Sequence, residues 1–263
     1  MTSRKGKLRS DIAYSLPDRI VLKGFDLPKD LIGHINLGDM AYLMIKDRLP
    51  GKQESAMFNA LLVTLVEHGI TPSALATRLT YLGAPESLQG AVAAGLLGLG
   101  SRFVGTIGDS AQMLQETLEG KPADADLDTI ARQLVESHRQ RKSPIPGLGH
   151  PVHKPVDPRA ERLFQIAAEN GFSGRYVRLM QLVSRQAEQA HKRSLPVNAT
   201  GAIGSVASEM GIPWQAARGL GLISRTIGLV GHILEETKQP MASEIWMRAE
   251  DEASEDARRD NQA

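Results

Sequence analysis

A short stretch near the middle of the chain sets two histidines and an arginine among prolines and glycines: residues 143–159 read SPIPGLGHPVHKPVDPR. Proline fixes φ and glycine frees it, so this pattern predicts a stiff binding loop from which His150 projects. Asp157 is a good helix N-cap and Pro158 suits the first helical position. Arg159 then lies in the first turn of a helix, where an anion is favoured. The stretch therefore predicts a site for a carboxylate or a phosphate.

Two other kinds of site can be read from the same residues. His150 and His153 form H-x-x-H, which could bind a metal with a third ligand from elsewhere. The surrounding prolines and glycines oppose the regular helix that ligands at this spacing would need, so we predict no metal. Gly147 and Gly149 do not complete a G-x-G-x-x-G or Walker pattern, and no strand precedes them, so neither type of nucleotide loop is predicted.

Cationic side chains elsewhere could join this loop. The pattern from Trp214 to Thr237 predicts one long helix, on which Arg225 and His232 lie seven residues apart and so on one face. His68 lies near the predicted end of another helix. Taken alone, His68 would more often contact the last carbonyls of its helix, and Arg225 would more often be a surface or paired arginine. The functional hypothesis depends on their combination with His150.

The elements that must position these residues are predicted to be almost all helical. Apolar residues recur at helical spacing in four stripes, which are Met57–Val66, Leu127–Val135, Leu163–Ala167 and Tyr176–Val183. Asp126 and Asp157 are the expected N-caps of two of these helices, and Gly69 and Gly171 mark expected ends. Strand candidates are few, chiefly Arg19–Phe25. Residues 90–100 and 199–207 are rich in Gly, Ala and Ser, which predicts closely packed central helices.

Composition limits the class of protein. The chain has 263 residues, 41% of them hydrophobic, which is enough for a substantial core. Its net charge of +1 gives no general attraction to nucleic acid or to an anionic membrane, and we expect neither partner. The absence of cysteine excludes disulfides and thiolate catalysis and fits a cytoplasmic protein. No signal segment or membrane span is predicted, and residues 1–9 and 248–263 are expected to be frayed.

A series of motifs along the chain resembles the citrate synthase superfamily. The motifs are Val66-Glu67-His68-Gly69, Leu97 to Phe103 (LGLGSRF), Pro146 to His150 (PGLGH), Asp157-Pro158-Arg159, Leu195 to Asn198 (LPVN), Ser224 to Gly228 (SRTIG) and Gly231-His232. Residues 100–105 read GSRFVG, which is similar to the GDRFGG of the citryl-CoA lyase module of ATP-citrate lyase, where citrate synthases carry His-Gly-Gly. The likeness spans residues 30–245 and is greatest to that module and its stand-alone bacterial relatives.

The resemblance implies an all-α, citrate synthase-like fold with a large and a small helical domain and the active site in the cleft between them. The implied segments are a partly disordered N-terminal segment at 1–30, large-domain helices at 31–140, a small domain with the coenzyme A (CoA) loop at 141–215, a return to the large domain at 216–247 and a disordered tail at 248–263. A homodimer or homotetramer is also implied.

The resemblance also implies roles for individual residues. His150 and His68 would act on the oxygen at the carbon that gains or loses the acetyl unit, and Arg159 and Arg225 would bind substrate carboxylates. Residues that would contact CoA are Ile145, Pro146, Gly147, Leu148, Gly149 and Lys154. Imidazole titrates near neutrality and arginine binds carboxylates through two parallel hydrogen bonds, so these residue types suit such chemistry.

Two positions depart from the family pattern. Asn198 stands in the third catalytic position, where the family's Asn-Val-Asp motif supplies an aspartate, and an amide cannot shuttle a proton. A positioned general acid or base contributes roughly 100-fold to 10,000-fold in rate. Lys238 stands near the place where citrate synthase has an arginine that reaches the neighbouring subunit. The ammonium group of a lysine does not reproduce the two parallel hydrogen bonds that a guanidinium makes to a carboxylate.

The sequence leaves three functions open. The first is a citryl-CoA lyase-like enzyme that cleaves citryl-CoA or a related 3-hydroxyacyl-CoA by a retro-Claisen reaction to acetyl-CoA and an oxo acid. The second is a catalytically weak relative that binds an acyl-CoA or an organic acid as a sensor or subunit. The third is a related enzyme with another outcome, such as a Claisen-type synthase or a thioesterase.

Overall fold

The structure is a computed structural model that describes residues 8–150 and 152–260. It begins with a small antiparallel sheet of three strands, β1 (Ala13–Ser15), β2 (Ile20–Leu22) and β3 (Phe25–Asp26), in the order β1-β2-β3. Ala13 pairs with Leu22, and Val21 pairs with Asp26. The single strand expected over Arg19–Phe25 is divided, because Lys23 and Gly24 take positive φ values of 48° and 87° and turn the chain.

The other regular elements of the described chain are helices. The helices are α1 (Leu37–Lys46), α2 (Lys52–Leu65), α3 (Pro72–Gly83), α4 (Leu88–Leu97), α5 (Gly105–Leu118), α6 (Leu127–Gln140), α7 (Pro158–Glu169), α8 (Arg175–His191), α9 (Ala199–Glu209), α10 (Trp214–Lys238) and α11 (Ala242–Asp260). Short π-helical turns at Leu27–Leu31 and Gly100–Val104 precede α1 and α5.

Helix starts follow their capping residues. Asp126 accepts hydrogen bonds from the backbone N–H groups of Asp128 and Thr129 at the start of α6, and Asp157 accepts one from Arg159 at the start of α7. Both predicted caps are confirmed, because each carboxylate satisfies N–H groups that have no partner inside the helix. Helix α2 ends at Leu65, four residues before Gly69.

The core is built around the small-residue helix α9. Helix α5 packs against α9 and α10, while α7 and α8 cover other sides of α9. Gly204 faces Ser110 so closely that an added Cβ would lie 2.9 Å from the Ser110 hydroxyl oxygen. The predicted close packing of residues 199–207 is therefore present. Nine of the eleven residues of α9 are buried, all except Thr200 and Glu209.

The C-terminal end differs from its prediction. Residues 248–260 were expected to be a disordered tail, yet they continue α11. The helix is supported by ion pairs one turn apart, Arg248 with Glu244 and Arg259 with Glu255. Its start is capped by Glu236, whose carboxylate accepts the N–H groups of Met241 and Ala242 at 2.8 Å. The predicted fraying of residues 1–7 and 261–263 lies outside the described residues.

The all-α fold class is confirmed, with β1–β3 as its small exception. The proposed division into a large and a small domain stays a prediction. Within the described residues, no single helix is long and apolar enough to cross a membrane, although Leu88–Leu97 and Gly100–Leu118, bent by 63°, meet that requirement as a pair.

Candidate active site

All five residues predicted to be catalytic or to bind carboxylates line one cavity of about 490 Å³: His68, His150, Asn198, Arg159 and Arg225. The cavity lies between the segment that links α2 to α3, the turn before α5, the loop before α7, and the starts of α7 and α9. Helix α10 contributes Arg225 from its middle. Residues 130 positions and more apart in the chain thus meet at one place.

The predicted loop is fixed to the chain segment before α9 by its main chain. The N–H of Gly149 donates to the carbonyl of Pro196 at 2.8 Å, and the N–H of Asn198 donates to the carbonyl of Gly147 at 2.9 Å. Leu148 and Val197 form an antiparallel bridge between these bonds. The loop is therefore held in place before any ligand binds, which lowers the ordering cost of binding.

Two positions in this loop require glycine. Gly147 and Gly149 have φ values of 84° and 76°, in the left-handed region that other residues adopt at a cost. A Cβ on Gly147 would also lie 2.5 Å from the Cα of Gly201. The first turn of α9 can approach the loop this closely only because both residues lack a side chain.

His150 is held as a hydrogen-bond donor. Its Nδ1 accepts the backbone N–H groups of Val152 at 3.2 Å and His153 at 3.0 Å. In the neutral ring the proton must therefore reside on Nε2. Burial lowers the pKa of His150 below its usual value, and the neighbouring His153 and Arg159 act in the same direction. His150 is thus a neutral imidazole that presents an N–H to a ligand.

Two further histidines surround this ring. His153 stacks on His150 with ring centroids 4.4 Å apart, and His68 lies 6.0 Å from His150 and 6.3 Å from His153. One ring nitrogen from each lies within 4.8 Å of the other two, a spacing near that of a transition-metal site. However, His150 would have to lose its Nε2 proton while Nδ1 keeps accepting two N–H groups. The geometry favours hydrogen bonding over ligation, and a site without metal stays a prediction.

Asn198 has its hydrogen-bonding groups engaged by the protein. Its amide nitrogen donates to the carbonyl of Gly149 at 2.7 Å, and its amide oxygen accepts from the Gly201 N–H at 3.1 Å and the Thr200 hydroxyl at 2.7 Å. The residue is both the N-cap of α9 and a link to the loop. This arrangement needs one donor and one acceptor on the same side chain, which an amide provides and a carboxylate does not.

Part of the guanidinium of Arg159 is bonded to Asp157, the N-cap of the helix on which Arg159 lies. Its Nε and Nη2 donate to the two oxygens of Asp157 at 3.0 and 2.8 Å, and Asp157 also accepts the N–H of Ala199 at 3.0 Å. Burial would raise the pKa of Asp157, but the hydrogen bonds and charge of Arg159 hold it below its usual range. The pair joins the starts of α7 and α9 and leaves the outer part of the guanidinium facing the cavity.

Arg225 is a buried cation with free donors. Its side chain is only 10% exposed, and its nearest carboxylate is Glu67, with Nη1 and Oε1 3.6 Å apart. Nε and Nη1 are buried and have no hydrogen-bond partner among the described residues. Burial lowers the pKa of Arg225, although Glu67 opposes the shift. Buried donors of this kind are costly unless a partner satisfies them, so the site suits a ligand carboxylate.

A buried polar network lies next to Arg225 and is connected to it through Glu67. His232 lies with Nε2 3.1 Å from Oε2 of Glu67, although the two atoms are not aligned as a hydrogen bond. Its Nδ1 accepts from Nε and Nη2 of the fully buried Arg78 at 3.1 and 2.9 Å. Arg78 also pairs with Glu235 and, at 2.6 Å, with Glu236. The predicted shared face of Arg225 and His232 is confirmed, and both residues lie against Glu67.

A second cavity of about 470 Å³ lies behind the loop. Ile145 and Leu148 line it, together with the basic side chains His138, Arg139, Lys142, His191 and Arg193. Of the residues predicted to contact CoA, Gly149 lines the first cavity, and Ile145 and Leu148 line the second. Gly147 is buried against α9, and Lys154 is exposed and lines neither cavity.

Sequence reasoning did not assign Glu67, Arg78 or Arg102 to the site. Glu67 and Arg102 line the first cavity and stand within motifs that were recognised. Arg78 gave a weaker signal: it is the one charged residue of α3, and a charge in an otherwise uncharged helix can indicate a buried partner.

Comparisons with known proteins agree with this geometry. The family model described as "Citrate synthase, C-terminal domain" matches residues 37–248. The structure of citryl-CoA lyase from Hydrogenobacter thermophilus is similar to this chain with a TM-score of 0.80 and 34% identity, and the match covers 88% of each chain. ATP citrate lyase from Methanothrix soehngenii, solved with citrate and coenzyme A, has the same fold, with a TM-score of 0.75 and 22% identity over 90% of this chain and 40% of that chain.

Among curated sequences, a probable ATP-citrate synthase of Dictyostelium discoideum is 25% identical over 258 residues. The match covers 89% of this chain and 40% of that relative, so the chain spans well under half of its length. The resemblance inferred from the motifs is confirmed: the chain belongs to the citrate synthase family.

Proposed function

We propose that this protein is a citryl-CoA lyase-like enzyme, which cleaves citryl-CoA or a related 3-hydroxyacyl-CoA to acetyl-CoA and an oxo acid. Arg225 is the observation that carries this proposal, because this buried cation lines the cavity and its Nε and Nη1 have no hydrogen-bond partner among the described residues. A substrate carboxylate would satisfy these donors. The lyase from Hydrogenobacter thermophilus, similar over 88% of both chains, supports the choice of reaction.

The residues around the cavity suit the two ends of such a substrate. Arg225 and Arg159 would hold the acid portion. The neutral His150 would donate its Nε2–H to the hydroxyl oxygen on the carbon whose carbon–carbon bond is cleaved. A donor aimed at that oxygen stabilises the negative charge that develops there when the hydroxyl loses its proton. His68, whose ring centroid lies 6.0 Å from that of His150, would assist at the same oxygen.

Coenzyme A would lie along the loop from Ile145 to Gly149. Its phosphates would contact the basic side chains of the second cavity, chiefly Arg139, Lys142 and Arg193, and its thioester would reach the first cavity past Gly149. The two cavities lie on either side of this loop, which supports a ligand that contacts both. Lys154, exposed next to the loop, would add a further cation for CoA.

We also propose that the protein is a homodimer. Large apolar side chains are exposed on helices that pack side by side, among them Leu79 and Leu82 of α3, Leu88 and Leu97 of α4, Ile227 and Leu234 of α10, and Trp246 of α11. An apolar surface shared by neighbouring helices is typical of a protein interface.

Release of acetyl-CoA from citryl-CoA and from a panel of 3-hydroxyacyl-CoA thioesters tests the activity. We expect turnover with at least one of them. Tight binding of CoA by calorimetry without turnover of any thioester would instead support a sensor. The presence of Asn198, whose amide cannot transfer a proton, favours this second function.

A further inference from the structure

Glu67 has a position that the proposed roles do not use. It lines the first cavity, beyond the end of α2, and its side chain is 40% exposed. Its Oε1 accepts the backbone N–H of His68 at 2.8 Å and lies 3.6 Å from Nη1 of Arg225. Its Oε2 lies 3.1 Å from Nε2 of His232. One carboxylate is therefore next to two residues that are proposed to bind the substrate.

Helix α10 approaches Glu67 closely because it carries Gly228 at this point. Gly228 lies about one turn after Arg225 and one turn before His232, on the same face of the helix. A Cβ at this position would lie 2.7 Å from Oε2 of Glu67 and would collide with the carbonyl oxygen of Val66. The missing side chain allows the carboxylate to lie against the helix between the arginine and the histidine.

The orientation of His232 is fixed by Arg78. Nε and Nη2 of this fully buried arginine donate to Nδ1 of His232 at 3.1 and 2.9 Å. A guanidinium cannot accept a hydrogen bond, so Nδ1 is the acceptor and the proton of the neutral ring is on Nε2. Since Nε2 is the atom next to Glu67, the N–H dipole of His232 favours a charged carboxylate there.

The charge of Arg78 is balanced by other residues. Arg78 pairs with Glu235 and, at 2.6 Å, with Glu236. Glu67 is therefore not required to neutralise Arg78. Among the described residues, Glu67 is the one carboxylate within ion-pair distance of Arg225, so its charge acts on the arginine that lines the cavity.

Glu67 attracts Arg225 without using its donors. Burial would raise the pKa of Glu67, but the N–H of His68, the ring of His232 and the charge of Arg225 hold it below its usual value. The carboxylate is therefore ionised at neutral pH. Nη1 of Arg225 nevertheless makes no hydrogen bond to it, which leaves that donor for a carboxylate of the substrate.

We infer that Glu67 is a positioning residue, which holds the guanidinium of Arg225 in the orientation that receives the substrate carboxylate. The inference rests on the proposed lyase function. His232, itself fixed by Arg78, holds Glu67 in place. Without the charge of Glu67, Arg225 still attracts the acid portion but is free to turn, so the bond to be cleaved is displaced from His150. A displacement of about 1 Å can lower a rate about 100-fold.

Substitution Glu67→Gln tests this role, because glutamine keeps the size and the acceptor for the His68 N–H but removes the charge. We expect kcat to fall about tenfold to 100-fold with little change in thermal unfolding. KM should be unchanged or lower, since a negative charge no longer opposes the substrate carboxylate. Wild-type kcat, or a raised KM with kcat unchanged, would overturn the inference.

The matched control is Glu169→Gln. Glu169 is exposed, lines neither cavity and pairs with Arg162 at 3.4 Å, a distance similar to that between Glu67 and Arg225. This variant loses an arginine–glutamate pair of the same kind at a place remote from the substrate. It should keep the wild-type kcat and KM, and a fall in kcat equal to that of Glu67→Gln would contradict the role of Glu67.

His232→Asn tests the support that Glu67 receives. Asparagine can still accept from Arg78 through its amide oxygen, but it lacks the Nε2–H next to Glu67. We expect a smaller fall in kcat than in Glu67→Gln. The double variant should be little worse than Glu67→Gln alone, because residues that act as one unit are not additive. Fully additive losses would overturn the part given to His232.

A measurement without substrate separates this inference from the proposed function. The Nε–H signal of Arg225 in ¹⁵N-edited NMR spectra is identified by its loss in Arg225→Lys. A guanidinium held in one orientation should give a sharp signal in the wild type and in Glu169→Gln, and a broadened or shifted one in Glu67→Gln. This result with no thioester cleaved by the wild type would mean that the lyase function alone is wrong. The same Arg225 signal in Glu67→Gln as in the wild type would overturn the positioning role, whatever the enzyme cleaves.

Discussion

Arg225 and Arg159 line the same cavity but differ in what they already hold. The side chain of Arg159 makes two hydrogen bonds to Asp157, whereas Nε and Nη1 of Arg225 have no hydrogen-bond partner among the described residues. The sequence indicated both arginines through their motifs, but it could not separate them. That difference depends on burial and on hydrogen-bond geometry, which arise only when α2, α7 and α10 come together.

Replacement of Arg225 by lysine should weaken binding of the acid portion. Lysine keeps the charge but loses the planar fork, and hydrogen bonds to charged groups contribute about 1.5–3 kcal/mol, which is roughly a tenfold to hundredfold rise in KM. Steady-state kinetics of Arg225→Lys would measure this. Arg218→Lys, at an exposed position of the same helix, should leave KM unchanged, and equal behaviour of the two variants would contradict the role of Arg225.

Asn198 is a residue whose structural role the sequence did not reveal. We expect Asn198→Asp to be less stable than the wild type, since aspartate can still cap α9 but cannot donate to the carbonyl of Gly149. This bond is partly buried, so its loss should cost no more than the roughly 1–3 kcal/mol of a fully buried acceptor left without its partner. Urea unfolding checks this, with Asn198→Ala removing both interactions. A variant Asn198→Asp with unchanged stability would show that the link to Gly149 is dispensable.

At the scale of elements, capping residues and apolar periodicity predicted α6, α7, α8 and α10 because these signals are local in the chain. The end of α11 was missed, since its stability depends partly on Glu236 and on ion pairs along its exposed face. The pairing of the 145–149 loop with residues 196–198 was missed as well. It consists of main-chain hydrogen bonds, which leave little trace in side-chain types.

The contact between this loop and α9 predicts that Gly147→Ala is damaging. The added Cβ would meet the Cα of Gly201 at 2.5 Å, in addition to the positive φ of 84°. We expect a lower melting temperature and weaker CoA binding by calorimetry. Gly171→Ala is the matched control, with φ of 81° and nothing within 4 Å of its Cβ. It should show only the cost of backbone strain, about 1–3 kcal/mol, and normal CoA binding.

The joined starts of α7 and α9 predict a pH dependence. The pKa of Asp157 lies below its unfolded value, so its ionised form stabilises the fold above that unfolded value and the contribution is lost as the pH falls through the folded pKa. Thermal unfolding from pH 7 to pH 3 should therefore show a smaller fall in Tm for Asp157→Asn than for the wild type. At pH 7, Asp157→Asn should be the less stable protein. Parallel profiles would mean that Asp157 is not the group responsible.

For the whole molecule, the exposed apolar side chains of α3, α4 and α10 support the proposed homodimer. The family resemblance predicted an oligomer, and composition alone did not, since 41% hydrophobic content is ordinary for a monomer. Only the folded structure separates apolar residues that fill the core from those that remain on a shared surface.

Sedimentation equilibrium should give about twice the chain mass of 28.5 kDa. Leu82→Glu, on the exposed face of α3, should shift the protein towards the monomer because a carboxylate is costly to bury at an apolar contact. Ile12→Glu, exposed before the small sheet, should leave the mass unchanged. A monomeric wild type would overturn the proposed dimer.

The main-chain pairing of residues 147–149 with residues 196–198 has a consequence for how such a site can diversify. Backbone atoms form most of these bonds, so the side chains of Ile145 and Leu148, which pack against the core, can be exchanged for other apolar side chains while the loop keeps its course. Mutations of Ile145 and Leu148 would alter the lining of the second cavity and leave His150 and Arg159 where they are. Related proteins can therefore acquire new thioester substrates through single substitutions in this loop, with each intermediate variant still able to fold.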